Sequence, residues 1–377
     1  MNPSRTEQHR VLIVLPRQLG DILLGGSLAS AVRESMPDAH IAWLSHPMGR
    51  QLLEGHPALN AIHYHPVFKS WRWRAALKQP LHFLGTWVKH VAAELKFIRD
   101  IRKQNFDIVV DSICTPRTAL LTRLSGARLR SGIRTRWNRN WAYNRLCATA
   151  EWANLYAAQA RLDLLKPILG EHCATQPSLH WLKPWIPSSP SIVARIESLL
   201  NEFGLNHRPF ILLSPTHRRE LRRWPADSYA ALALELIKQK NVTIVWMWGP
   251  GEDAFVREIH NTLLTLLNAE HLDQALSVFP PLLTLAEVAA LAGRCQLWIG
   301  NSNGLSHVAV AGGAATVQIH GPTASAPWTH PDTTRHTAVQ RTEGCLRCER
   351  NVCALGTHEC MMKLSVESVL SAALKLT

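Results

Sequence analysis

What most constrains this chain is a repeated alternation. Short β-rich apolar runs, VLIVL (11–15), HIAWLSH (40–46) and FDIVVDSI (106–113), are separated by stretches of helical spacing such as ILLGGSLASAVRESM (22–36). Runs that are apolar at nearly every position suit strands buried on both faces, and the helices between them supply the crossovers of a parallel sheet. The pattern restarts with RPFILLSPT (208–216), NVTIVWMWG (241–249), QLWIGN (296–301) and ATVQIHG (315–321). These alternate with SYAALALELIKQK, a helix from Glu252, LAEVAALAGR and LSHVAVAGG. Between the halves, PSLHWLKPWIPSSPSI (177–192) is rich in Pro and Ser and reads as a linker before a helix over VARIESLLNEFG. The sequence thus predicts an α/β protein of two Rossmann-like domains, over 1–180 and 190–345, followed by a cysteine-containing tail over 346–377. At 377 residues the chain is long enough to give each half its own core. A basic, aromatic stretch from about 61 to 103 interrupts the first half.

Composition narrows the partners. No run approaches the roughly 18 apolar residues of a spanning helix. The polar start MNPSRTEQHR leads into an apolar run too short for a signal peptide, so the chain is expected in the cytoplasm. Forty-one Lys and Arg against 28 Asp and Glu give a net charge of +13, a field that attracts anionic partners. Between 61 and 145 the imbalance is 17 basic residues to four acidic ones.

In open α/β sheets ligands sit beyond the carboxyl ends of the strands, where helix N-termini offer unpaired N–H groups. Three such ends in the second half carry polar clusters: SPTHRRELRRWP (214–225), WGPGED (248–253) and GNSNGLSH (300–307). Gly300, Asn301, Ser302, Asn303 and Gly304 either cradle a diphosphate or simply cap a tight turn, with Ser306 and His307 in the next turn. Arg218, Arg219, Arg222 and Arg223 repel one another unless an anion draws them together; the alternative is a solvated basic loop. Glu252 either accepts from a ribose diol or caps a helix. In the first half, Asp21 of LGDILLGG is a carboxylate just past the first strand, either a reactive acid or another cap.

Together these motifs resemble glycosyltransferase family 9, the bacterial heptosyltransferases of the lipopolysaccharide inner core. LGDILLGG, the loop ending RRWP, WGPGE, IGNSNGLSHVAVAGG, IHGPT and the closing CM followed by KLSVESV carry the resemblance almost end to end. It implies a GT-B fold, two Rossmann-like domains facing across a cleft, and sugar transfer with inversion and without a metal, most simply heptose from ADP-heptose to a core acceptor. No DxD pair that could hold a divalent ion is legible. The resemblance makes Asp21 the general base. It places donor binding on Thr216, Arg222, Glu252, Ser302, Asn303, Gly304 and His307. Ser302 and Asn303 stand where the family carries Asp and Thr, and the alternative to a full enzyme is a donor-binding homologue with little or no activity.

The basic stretch suits a phosphorylated, carboxylated glycolipid at the inner face of the inner membrane. Arg72, Arg74, Arg134 and Arg136 are the acceptor-binding candidates, and Trp71, Trp73 and Trp87 suit a headgroup interface. Nucleic acid would fit the same composition, but no nucleic-acid module is legible and none is expected as a partner. Cys345, Cys348, Cys353 and Cys360 are numerous enough for a structural zinc, the alternatives being reduced thiols or a local disulfide. The tail that carries them is expected to return toward the first domain.

Overall fold

A computed structural model describes residues 8–66, 80–135, 139–170, 182–345 and 348–377. The chain divides into two compact units, residues 1–150 with 158–182, and residues 151–157 with 183–377.

The first unit holds six parallel strands: β1 (Arg10–Val14), β2 (His40–Ser45), β3 (Ala61–Tyr64), β4 (Ile108–Asp111), β5 (Leu129–Ile133) and β6 (Arg145–Cys147), in the order β3-β2-β1-β4-β5-β6. Its helices include α1 (Leu19–Ser35), α2 (Pro80–Arg102), α3 (Pro116–Leu124) and α4 (Ala157–Leu162). The central strands β1, β2 and β4 are buried at nearly every position, which is why their sequences read as unbroken apolar runs. Ala61–Tyr64 of β3 is only half-buried at the sheet edge, so its polar AIHY escapes a search for such runs. The stretch from 61 to 103 is therefore no interruption: it supplies the edge strand β3 and, through α2, part of the connection to β4.

The second unit repeats the design with β7 (Phe210–Ser214), β8 (Thr243–Trp246), β9 (Ser277–Val278), β10 (Leu297–Asn301), β11 (Thr316–Ile319) and β12 (His336–Val339), ordered β12-β11-β10-β7-β8-β9. Both sheets are thus doubly wound, and strand order reverses between β1 and β4 in one and between β7 and β10 in the other. Its helices include α5 (Pro190–Glu202), α6 (Ala226–Lys240), α7 (Asp253–Ala269), α8 (Leu285–Ala292), α9 (Gly304–Gly312) and α10 (Val366–Leu374). Helices α8 and α9 pack so closely that a Cβ on Gly312 would lie 2.1 Å from the Ala289 carbonyl oxygen. A Cβ on Gly300 would lie 2.6 Å from the Ser214 carbonyl oxygen, which fixes glycine where β10 meets β7.

Val369 and Ala373 of α10 are buried in the second unit's core, and the helix packs against α6, β11 and β12. The spacing of apolar residues in VESVLSAAL gives that helix one buried face, and the second sheet is the surface that covers it.

Candidate functional site

Both switch points carry chemistry. In the first unit, the loop after β1 leads into α1, and Asp21 lies in that helix's first turn. The N-cap residue is Gln18, and it makes no side-chain cap hydrogen bond. Asp21 does not act as the N-cap either: its Oδ1 accepts from the Arg161 guanidinium at 2.6 Å. Ser27 of α1 explains the meeting, because its hydroxyl donates to Ala158 of α4 at 3.1 Å and docks that short helix on α1. Arg161 is 9% exposed, so the pair is shielded from water on the arginine side.

At the end of β4, Asp111 is fully buried. It accepts from the backbone N–H groups of Ile113 at 3.0 Å and Cys114 at 2.9 Å, and from the Tyr143 hydroxyl at 2.8 Å. Burial pushes its pKa up, and the same burial pushes the Cys114 thiol up to about 12. This network shapes the loop leading to α3, whose N-terminus is closed by a capping box between Thr115 and Thr118. Of the acceptor candidates, Arg134 is exposed just past β5, while Arg72, Arg74 and Arg136 lie outside the described residues.

In the second unit, β7 and β10 end side by side. Asn301, fully buried, accepts from the Trp224 backbone N–H at 3.0 Å and donates to the Pro215 carbonyl at 2.6 Å. Trp224 is itself anchored by its indole N–H on the Leu364 carbonyl at 2.9 Å, so the arginine-rich loop is pinned at its end. Asn303 caps α9 through Leu305 and Ser306 and donates to the Thr216 carbonyl at 2.8 Å. Its side chain is thereby committed to the turn. Ser302 keeps its hydroxyl without a hydrogen-bond partner among the described residues. Gly304 begins α9, and Thr216 and His307 are buried beside this turn, with the His307 ring 6.3 Å from that of Trp328.

The four arginines separate in role. Arg223 donates to the His217 carbonyl at 2.7 Å and stacks over Phe255 at 5.2 Å. Arg222 is half-buried, its Nε shielded from solvent with no hydrogen-bond partner. Burial and the neighbouring Arg219 guanidinium lower its pKa. Two histidines that the motifs did not single out join it. His217 and His320 are pushed down to about 4 and about 3, chiefly by burial, so both are neutral at pH 7. His320 follows β11 in the IHGPT motif, and His217 follows Thr216; each is an uncharged donor or acceptor beside the cationic loop.

Glu252 folds back, accepting from the Gly249 N–H at 2.9 Å through Oε2, and its side chain makes no cap bond to α7. Oε1 has no partner among the described residues.

In the cysteine tail, burial and then the neighbouring thiols of Cys348, Cys345 and Cys353 raise the pKa of Cys360. Among the described residues no group of three or more His, Cys, Asp or Glu side chains is gathered to hold a metal, and the seven described cysteines are free. Cys360 is 9% exposed and packs in the apolar core beside Met361, whereas Cys345, Cys348 and Cys353 are half-exposed in loops.

Two parallel, doubly wound units with ligand-ready switch points define the GT-B class. Residues 94–358 match the model of glycosyltransferase family 9 (heptosyltransferase), and the chain belongs to that family; it is a glycosyltransferase. Lipopolysaccharide heptosyltransferase 2 of Escherichia coli K12 is 22% identical over 368 residues, 96% of each chain. A glycosyltransferase family 9 structure from Veillonella parvula superposes with a TM-score of 0.76 at 18% identity, covering 100% of this chain and 99% of that one. The E. coli heptosyltransferase WaaC with ADP-2-deoxy-2-fluoro heptose gives 0.62 at 17% identity, covering 98% and 100%.

Proposed function

We propose that this protein transfers heptose from ADP-heptose to a lipopolysaccharide core acceptor, with inversion and without a catalytic metal, at the inner face of the inner membrane. The observation that carries this reading is Arg222: a guanidinium crowded by other cations, with a shielded N–H lacking a partner, at the switch point of a doubly wound sheet. A diphosphate supplies the missing charge and acceptor atoms. Neutral His217 and His320 beside it add hydrogen bonds without adding repulsion.

In this reading Asp21 takes the proton from the acceptor hydroxyl as that oxygen attacks the anomeric carbon. The bond to the diphosphate breaks, and ADP leaves with its charge stabilised by Arg222 and the N–H groups opening α9. The free Oε1 of Glu252 accepts from the ribose diol. Ser302 offers a hydroxyl to the sugar where the family carries a carboxylate, and Thr216, Gly304 and His307 shape the donor turn. The basic stretch and its tryptophans support contact with an anionic lipid surface. No helix among the described residues is long and apolar enough to cross a membrane.

The substitution at Ser302 favours one other reading, a homologue that binds the donor and transfers nothing. Incubating the purified protein with isolated core acceptors and a panel of nucleotide sugars, read by mass, separates the two. A heptose-sized mass gain with ADP-heptose supports transfer; donor binding with no product from any sugar overturns it.

A further inference from the structure

The cysteine-bearing tail reaches two loops at the carboxyl ends of the second unit's strands. Two of its residues hold side chains on left-handed backbone, Glu349 at φ 55° and His358 at φ 50°. Glycine adopts that conformation without strain, so a side chain kept there signals a contact that outweighs it. Glu349 donates its N–H to the Pro322 carbonyl at 3.0 Å and accepts the Ala324 N–H on Oε1 at 2.9 Å, which ties the tail to the IHGPT loop. His358 ties it to the arginine loop: Nε2 lies 2.6 Å from the Leu221 carbonyl oxygen. A carbonyl only accepts, so Nε2 carries the ring proton and donates.

The Leu221 carbonyl depends on that donor. Glu220–Arg222 form a single 3-10 turn, with the Arg222 N–H on the Arg219 carbonyl at 3.0 Å and the Arg223 N–H on the Glu220 carbonyl at 2.8 Å. The Trp224 N–H, next in that series, donates instead to Asn301, which leaves the Leu221 carbonyl to His358. That carbonyl and the Arg222 N–H belong to one planar peptide unit. With His358 on its oxygen and Arg219 on its nitrogen, the plane is held from both sides, and with it the Cα from which the Arg222 side chain leaves.

The histidine is held in its turn. The backbone N–H groups of His358 and Leu355 hydrogen-bond the Cys353 sulfur, which shapes the chain before the ring. The His358 carbonyl accepts the Met361 and Met362 N–H groups at 3.2 and 3.1 Å, opening the helical turn Glu359–Met362. Met361 is fully buried, and a Cβ on Gly321 would lie 2.7 Å from its sulfur, so the tail packs directly on the IHGPT loop. It also brings the Glu349 carboxylate within electrostatic reach of Arg222, where it opposes the repulsion from Arg219 and Arg218.

From this geometry we propose that His358 is a positioning residue: its ring N–H fixes the Leu221–Arg222 peptide so that the Arg222 guanidinium is presented to the donor's diphosphate. The proposal rests on the transferase reading above, in which Arg222 takes that diphosphate. It gives the tail a part in donor binding, as a brace that touches no substrate.

The test titrates ADP calorimetrically into the full-length enzyme and its variants, with thermal melts alongside. His358→Gly removes the ring and relieves the backbone, so the ADP Kd should rise about fivefold or more while Tm stays within about 3 °C. His358→Asn suits the same backbone but is too short to reach the carbonyl, and it should repeat the loss. His358→Gln extends an N–H to about the same point and should recover most of it. In an Arg222→Ala background, His358→Gly should add less than twofold, because the guanidinium it positions is gone. An unchanged Kd in His358→Gly and His358→Asn, the full loss persisting on top of Arg222→Ala, or a loss that tracks a fall in Tm and is not recovered by His358→Gln overturns the proposal, as does a wild type that binds no ADP. Transfer assays separate this from the parent reading. Product formed with a donor KM that is the same in wild type and His358→Gly overturns the positioning role and leaves the transferase standing. ADP binding that depends on His358, with no product from any nucleotide sugar, does the reverse.

Discussion

Asp21 and Arg161 stand 140 positions apart and meet at 2.6 Å. Asp21 was legible because it sits in the LGDILLGG motif; Arg161 was not, because no local pattern marks an arginine that matters only after α4 docks on α1. In the proposed mechanism the guanidinium holds Oδ1, leaving Oδ2 to face the acceptor hydroxyl. Asp21→Asn removes the base and should lower kcat by about 10²–10⁴ while the donor Kd stays within twofold. Turnover near that of the wild type would remove Asp21 from the role. Arg161→Met should lower kcat by up to about 10² with the donor KM little changed, since misplacing a reacting group costs that much. Arg161→Lys should recover part of it, and an equal loss in both variants with a lowered Tm would point to a merely structural pair.

At the scale of elements, the turn into α9 shows how a motif divides its work. Sequence placed Ser302, Asn303 and Gly304 together at a strand end, and either phosphate binding or capping was open. The structure commits the Asn303 side chain to the cap and to the Thr216 carbonyl, and leaves the Ser302 hydroxyl unengaged. Asn303→Ala should therefore cost about 1 kcal/mol or somewhat more, lowering Tm by roughly 2–4 °C. Ser302→Ala should stay within about 0.5 kcal/mol of wild-type stability, so that any effect it has is on donor KM. Thermal melts of the two variants check the contrast. The edge strands β3 and β12 were missed for a related reason: half-buried edges carry no continuous apolar run, and only pairing with β2 and β11 defines them.

Across the whole molecule, several buried histidines couple stability to pH. Burial pushes His56, His65, His217 and His336 down to about 4 and His320 to about 3. The unfolded chain, with histidines near 6.5, binds protons that the native state refuses between about pH 6.5 and 4. Stability is full above that window and falls as pH drops through it, by about 1.4 kcal/mol per pH unit for each histidine fully in the window. Tm measured from pH 7.5 to 5 should fall steadily, and a flat profile would contradict these buried neutral rings. The sequence by itself determined the doubly wound halves, because centrally buried strands must be apolar throughout. It also marked the arginine loop, since like charges cluster only for a reason. Tertiary structure decided what those marks could not: that Asp21 is held by Arg161, that Arg222 acts electrostatically on two neutral histidines, and that Arg17 lines a cavity with His46 and His65. Each of these depends on residues distant in the chain being brought to the carboxyl ends of neighbouring strands, and no local spacing encodes that arrangement.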